Sequence, residues 1–246
     1  MSSNLTASAS YPQWNFPLRN PAVRGGMVRP AHSCTKMIRV FIVDDHAMMR
    51  RGIAGILTDE SDFEVVGEAA DYSELRAGMR GKEIDVLLLD VNLPGKNGID
   101  ILKTLHEENA RLKVLMLSMY PEDHYAVRAL KAGAYGYLNK ASAPEQLVVA
   151  VRQIHSGRKF ITPQIAEALA DNLTKDSEEL PHTKLSDREF QTLCLMASGK
   201  RLADIAETLA LSPKTVSVYR ARILEKMGLE NNAELTHYAL KHGLVD

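Results

Sequence analysis

Between Met37 and His155 the chain alternates short apolar runs with amphipathic stretches, a pattern that few folds accept. The runs are IRVFIV (38 to 43), FEVVGEA (63 to 69), IDVLLLD (84 to 90), LKVLMLS (112 to 118) and AYGYL (134 to 138). Their length and near-continuous apolar character fit strands covered on both faces. The stretches between them space apolar residues three or four apart: Met48, Ile53, Ile56 and Leu57; Ile99, Leu102 and Leu105; Val127 and Leu130; Leu147, Val148, Val151 and Ile154. That is the helical period. Five strands alternating with five helices predict βαβ units, hence an α/β fold with a five-stranded, doubly wound parallel sheet. Gly133 and Gly157 stand where two of the helices should end.

At 246 residues the chain has room for a second, smaller domain. After Gly157 a polar stretch holds one short helix near Pro163 to Leu173, followed by TKDSEELPHTK, which has linker composition. From Leu185 the strand signals vanish and four helices are expected. Ser186 and Glu189 form a capping box for the first, which Gly199 ends. The second spans about Ala203 to Ala210. Ser212 caps and Pro213 opens the third, Gly228 stops it, and the fourth runs from about Asn232 to His242. The expected division is a tail over 1–36, the α/β domain over 37–156, a linker with a short helix over 157–183, and a small all-α domain over 184–246.

Residues 1–36 are rich in Ser, Asn, Pro, Gly and Arg without a helical or strand period, and read as a disordered tail. They contain no apolar stretch of the kind a secretory signal needs. Met37 directly precedes the first strand, so translation from Met1 and from Met37 both remain open. Tyr11, Trp14 and Phe16 are either a docking motif or idle tail aromatics. The longest apolar runs, Val86 to Leu89 and Val148 to Val151, are far shorter than the roughly 18 residues of a membrane span. Cys34 and Cys194 are too few for a disulfide framework and lack a CxxC partner, so a reducing compartment is expected. The net charge of −1 conceals local differences: +4 over 1–36, −4 over 37–155, −2 over 156–181 and +1 over 182–246. Whole-chain charge therefore says nothing about nucleic acid.

Ligands of an open parallel sheet bind outside the carboxyl ends of its strands. There the first strand ends in Asp44 and Asp45, the third in Asp90 and the fourth in Ser118, while Lys140 follows the fifth. Three crowded carboxylates resist ionising unless a hard cation joins them, and an all-oxygen set suits Mg2+ or Mn2+. A lysine and a small hydroxyl beside the metal complete what a phosphoryl group on Asp90 needs.

The segments VDDH, LLLDVNLPGKNG, LMLS and GYLNK, in this order and spacing, resemble the acid pair, phosphoacceptor loop, switch hydroxyl and lysine of a CheY-like (flavodoxin-like) receiver domain. The resemblance implies that Asp90 accepts phosphate from a phosphohistidine on a sensor histidine kinase. It also implies that Asp45 binds Mg2+ directly, Asp44 mainly through water, and Asn92 through its backbone carbonyl. Ser118 and Lys140 would grip the phosphoryl group, and Tyr137 would be a rotamer switch, plain packing being its rival. Asn92, two residues past the acceptor, is expected to tune phosphate lifetime. Ala141 follows the lysine where many receivers have proline, so the isomer of that bond is left open.

In the last 60 residues, LADIAETLALSPKTVSVYRARILEKMGL reads as helix, tight turn and second helix, which predicts a helix-turn-helix with the second helix in the major groove. Pro213 to Gly228 carries +3 within a nearly neutral domain, so basic charge is concentrated where phosphates would lie. A helical wheel places Val216, Ile223 and Met227 on the core side, with Tyr219 and Arg220 at its borders. It assigns Ser217, Val218 and Ala221 to base edges, and Lys214, Arg220 and Arg222 mainly to phosphates, with Thr215 in the same DNA-contacting set. The strings LSDRE, ASGK, IAETL, LSPKTV and KMGL resemble the LuxR-type domain of NarL/FixJ response regulators, and SPKTVSVYRARI is closer to the GacA/UvrY and BvgA-like branch. Leu202 and Ala203 stand where those proteins often have Asn-Lys. Val216-Ser217-Val218-Tyr219 replaces Val-Lys-x-His, which makes the groove surface less cationic.

The resemblance implies a cytoplasmic, phosphorylation-dependent DNA-binding transcriptional regulator, not an enzyme, that binds double-stranded DNA and forms a homodimer when phosphorylated. Phosphoryl-Asp90 would attract Ser118 and Lys140, turn Tyr137 inward, and either end masking of the DNA-binding domain by the receiver or drive dimerisation. Leu235, Tyr238 and Leu240 on the last helix are candidate dimer contacts or core. Two rival readings are an aspartyl-phosphate hydrolase of the haloacid dehalogenase type and a phosphate-independent DNA binder. The first would want an acid where Asn92 stands and has no use for a helix-turn-helix; the intact carboxylate, hydroxyl and lysine set argues against the second.

Overall fold

A computed structural model of the chain describes residues 37–119, 122–174 and 180–245. The expected tail, with Tyr11, Trp14, Phe16 and Cys34, lies outside the described residues. The α/β half contains β1 (Ile38–Val43), α1 (Ala47–Thr58), β2 (Phe63–Ala69), α2 (Tyr72–Gly78), β3 (Val86–Asp90), α3 (Gly98–Glu108), β4 (Lys113–Ser118), α4 (Glu122–Lys131), β5 (Gly136–Asn139) and α5 (Pro144–His155). The strands form one sheet in the order β2-β1-β3-β4-β5, parallel throughout. The order steps outward from β1 in both directions, so the carboxyl ends of β1 and β3 meet at the reversal point.

The period of two along each strand divides the core into two layers. Val40, Ile42, Val86, Leu88, Leu115, Leu117 and Leu138 pack with Ile53 and Leu57 of α1 and Leu147, Val151 and Ile154 of α5. Phe41, Val43, Leu87, Leu89, Val114, Met116 and Tyr137 pack with α2, α3 and α4 on the opposite face. Two buried faces explain why these strands read as continuous apolar runs. β1 and β2 have the expected limits, β3 and β4 begin one or two residues later than expected, and β5 is displaced toward Asn139.

The connection carries α6 (Pro163–Thr174), and a 3-10 turn (Pro181–Lys184) leads into α7 (Asp187–Ala197), α8 (Leu202–Thr208), α9 (Pro213–Met227) and α10 (Asn232–Lys241). The capping box at Ser186 and Glu189 is formed, with each side chain bonded to the other residue's backbone N–H. Gly228 ends α9 at φ 65°, a left-handed conformation that glycine reaches without Cβ strain. Among the described residues no helix is long and apolar enough to cross a membrane.

One feature of α7 departs from its amphipathic sequence: every residue from Asp187 to Ala197 is buried. Its apolar side joins α8, α9 and α10, and its polar side lies against α3, α4 and the loop after β3. Phe190 meets Tyr125 edge to face with ring centroids 5.1 Å apart, and the Arg128 guanidinium lies 4.2 Å over the Phe190 ring. Arg128 also donates to the carbonyls of His182 (2.6 Å) and Leu185 (2.9 Å) and to Asp187 (3.2 Å). Lys103 pairs with Asp187 at 2.5 Å. The apolar core consequently runs without a break from the sheet into the helical half.

Candidate phosphoacceptor pocket and nucleic-acid interface

The carboxyl ends of β1 and β3 bring Asp44 and Asp90 together, and both side chains are fully buried. Lys140, one residue past β5, reaches back between them, with Nζ 2.6 Å from Asp44 Oδ2 and 2.7 Å from Asp90 Oδ2. The backbone N–H of Lys140 donates to the Ser118 carbonyl at 2.7 Å, which sets the lysine beside the buried Ser118 at the end of β4. The Lys140–Ala141 bond is trans, as is every described peptide bond. Asp90 Oδ1 accepts from the Asn92 backbone N–H at 3.1 Å, and Asp44 Oδ1 from that of His46 at 2.8 Å.

Asp44 Oδ2 and Asp90 Oδ2 touch the ammonium, yet neither receives a hydrogen bond of suitable angle. Two buried carboxylate oxygens thus share one ammonium as their sole partner, which leaves lone pairs for a further ligand to meet. Burial pushes the Asp90 carboxyl up to about 7, against the pull of Lys140, and the neighbouring Asp44 charge adds to the rise. Burial works against the Lys140 ammonium, but Asp90 and Asp44 outweigh it and hold its pKa above the ordinary lysine value.

Asp45 stands at the solvent side of the cluster, where its carboxylate meets His46 Nδ1 at 2.6 Å. Asp44, Asp45, His46 and Asp90 present ligand atoms within 4.8 Å of one another. Sequence reasoning missed His46, although its place directly after the acid pair was the available signal. The floor is tight: a Cβ on Gly98 would come within 2.0 Å of the Asp90 carbonyl oxygen, so α3 starts directly against the end of β3 only because residue 98 is glycine. Tyr137 is fully buried in the α2-α3-α4 layer, a placement that fits both a rotamer switch in its inward position and plain packing.

The helix-turn-helix is formed by α8 and α9. Its turn includes Ala210 at φ 51°, and Ser212 caps α9 by accepting from the Thr215 N–H at 3.1 Å. Val216, Ile223 and Met227 are buried, whereas Lys214, Ser217, Val218, Ala221 and Arg222 are exposed along one side. Two residues of the expected DNA set are occupied within the domain. Thr215 Oγ1 is 2.7 Å from the Ser212 hydroxyl, and Arg220 Nε donates to Asn232 Oδ1 at 2.7 Å. The docked α/β half buries α7 and leaves the outward side of α9 open, so the expected masking does not take the form of a covered recognition helix.

Comparison with known proteins agrees with both halves. The model of the response regulator receiver domain matches residues 40–152, and that of the bacterial regulatory proteins of the luxR family matches 183–239. The response regulator UvrY of Escherichia coli is 37% identical over 211 residues, covering 85% of this chain and 97% of that one. The response regulator GacA of Pseudomonas aeruginosa is 37% identical over 211 residues, covering 85% and 99%. A structure of RcsB from Salmonella enterica serovar Typhimurium, bound to a promoter in the presence of the phosphomimetic BeF3−, is 26% identical with a TM-score of 0.57, covering 82% and 97%. Response regulators take phosphate from histidine kinases and bind DNA, and receiver domains bind Mg2+ at an acidic pocket of this kind. The chain belongs to the response regulators that join a receiver domain to a LuxR-type helix-turn-helix, DNA-binding transcriptional regulators and not enzymes.

Proposed function

We propose that Asp90 is the phosphoacceptor of a cytoplasmic two-component regulator whose receiver spans 37–156, whose connection with α6 spans 157–183, and whose DNA-binding domain spans 184–246. An Asp90 oxygen attacks the phosphorus of a kinase phosphohistidine as the P–N bond breaks and its electron pair returns to the imidazole. The observation that carries the reading is the pair of buried oxygens, Asp44 Oδ2 and Asp90 Oδ2, that meet only the Lys140 ammonium. That donor set fits a hard divalent cation, Mg2+ or Mn2+, held by Asp45, Asp90 and the Asn92 carbonyl, with Asp44 acting through water. When bound, the cation neutralises charge on the transferring phosphoryl group. Ser118 and Lys140 hold the phosphoryl oxygens by hydrogen bond and charge.

Phosphorylation then alters the receiver surface against which α7 docks and promotes a homodimer, which brings two α9 helices to half-sites about one helical turn apart. Lys214 and Arg222 meet phosphates and Ser217, Val218 and Ala221 meet base edges, while Arg220 and Thr215 position the helix as well as reaching the backbone of DNA. The test is binding of full-length protein to fragments of its own upstream region, with BeF3− and Mg2+, beside Asp90→Ala. Tighter binding or dimerisation by the wild type alone supports the reading. Equal binding by both proteins, indifferent to BeF3−, overturns it.

A further inference from the structure

The loop that follows Asp90 is gripped from outside by the DNA-binding domain. Gln191 of α7 is completely buried, and its Nε2 donates to Asn92 Oδ1. Its Oε1 accepts from Asn97 Nδ2 at 3.2 Å and from Arg188 at 2.7 Å. Arg188 in turn reaches the Leu93 carbonyl at 3.4 Å, and Asn97 Oδ1 caps α3 by accepting from the Ile99 N–H at 2.8 Å. Asn92 connects this network to the acceptor through its own N–H on Asp90 Oδ1. A side chain from a DNA-binding domain thus holds a residue two positions from the reacting carboxylate. A buried amide placed this way is far more specific than packing needs, since an unmatched donor or acceptor here would be penalised.

We propose that Gln191 is a positioning residue for the loss of the phosphoryl group: docking of α7 orients Asn92 and thereby prolongs the life of phosphoryl-Asp90. This inference rests on Asp90 being the phosphoacceptor. In hydrolysis, a water oxygen bonds to phosphorus and the bond from phosphorus to the Asp90 oxygen breaks. The carboxylate leaves with the electron pair, the proton passes to solvent and inorganic phosphate departs. The water must lose a proton as it attacks, so a neighbouring acceptor oxygen assists it. With Gln191 in place, Asn92 Oδ1 is occupied, and its Nδ2, which has no protein partner among the described residues, is the end left to serve the pocket. Nδ2 can only donate, so it stabilises phosphoryl oxygens and cannot help the water. Once α7 leaves, the Asn92 amide is able to turn Oδ1 toward the water. Undocking therefore both releases the DNA-binding domain and starts the clock on its own signal.

The decisive variant is Gln191→Glu in the full-length chain. It keeps an acceptor for Asn97 and Arg188 and nearly the same volume, but has no N–H for Asn92. Protein phosphorylated with acetyl phosphate and Mg2+ is freed of donor, and loss of phosphoryl-Asp90 is followed on phosphate-binding gels, with Asp90→Ala as the blank. We expect Gln191→Glu to lose phosphate about three- to tenfold faster, which is what one hydrogen bond to the reacting arrangement is worth. In an Asn92→Ala background the same change should have no effect, although a merely structural role for Gln191 would persist there. Amide exchange over 187–197 reports docking separately. If the lifetime is unchanged, or changes equally with and without Asn92, the inference is overturned while the phosphoacceptor reading stands. Absence of any Asp90-dependent phosphorylation overturns both.

Discussion

Replacing Lys140 by Met tests the electrostatics of the pocket without relying on phosphorylation. The lysine is 5% exposed and its ammonium lies 2.6 and 2.7 Å from carboxylate oxygens on two residues that are 0% and 1% exposed. Met matches the volume of the lysine stem but removes its charge, leaving Asp44 and Asp90 buried with no cation between them. Breaking a buried pair in this way costs about 3–5 kcal/mol, because the orphaned charge keeps its desolvation penalty. Partial relief comes from protonation of Asp90, whose carboxyl burial already pushes up to about 7. Urea unfolding followed by circular dichroism, in chelator, should show Lys140→Met less stable by about 3 kcal/mol. Adding Asp90→Asn to the variant should recover part of that loss, since the two changes touch one network. Mg2+ at ten times its dissociation constant should return about 1.4 kcal/mol by mass action. A metal-free loss below about 1 kcal/mol, with no recovery from Asp90→Asn, would refute the claim that Lys140 neutralises the two carboxylates.

Three further outcomes follow from other contacts. The side-chain hydrogen bond from Arg39 holds the Asp85 carboxyl down to about 2, so its contribution is present above the unfolded value near 4 and disappears as pH falls from 4 to 2. The stability difference between wild type and Asp85→Asn, on the order of 1 kcal/mol after solvent screening, should therefore be level at neutral pH and vanish in acid; a difference that grows in acid contradicts this. Arg128→Ala deletes donors to two carbonyls and to Asp187, so amide exchange in α7 should accelerate by roughly 3 kcal/mol of lost docking, and unchanged protection of 187–197 counts against the interface. Arg222→Ala should weaken DNA binding uniformly across sequences and lower the salt slope by about 0.9; a change in sequence preference would move Arg222 to the base edges.

The doubly wound sheet is legible in the sequence, because a parallel sheet buried on both faces needs continuous apolar strands and covering helices at the helical period. The convergence of the strand-end polar residues was legible for the same reason: the ends of β1, β3 and β4 come together at the point where the strand order reverses. Asp44, Asp90, Ser118 and Lys140 meet there by topology. The capping signals at Ser186, Ser212 and Gly228 marked the helical half, since caps are local chemistry between residues three or four apart. Less was readable where tertiary packing chooses among local options. The wheel put Arg220 at the border of the core side, and only the tertiary structure shows that it crosses to Asn232 and that Thr215 bonds the cap. Tyr137 is inward and buried, which suits a switch and plain packing alike.

The polar side of α7 belongs entirely to tertiary structure. Asp187, Arg188 and Gln191 carry the charge and amide groups of a solvent-facing helix surface, and nothing in their spacing announces a partner. Their partners are Lys103, Arg128, Asn92, Leu93 and Asn97, more than 55 positions earlier in the chain. A local pattern specifies periodicity, caps and the ends of strands because those depend on neighbours in sequence. Which polar groups desolvate against each other depends on how the two halves meet. Only that meeting placed a helix of the LuxR-type half against the loop that follows Asp90.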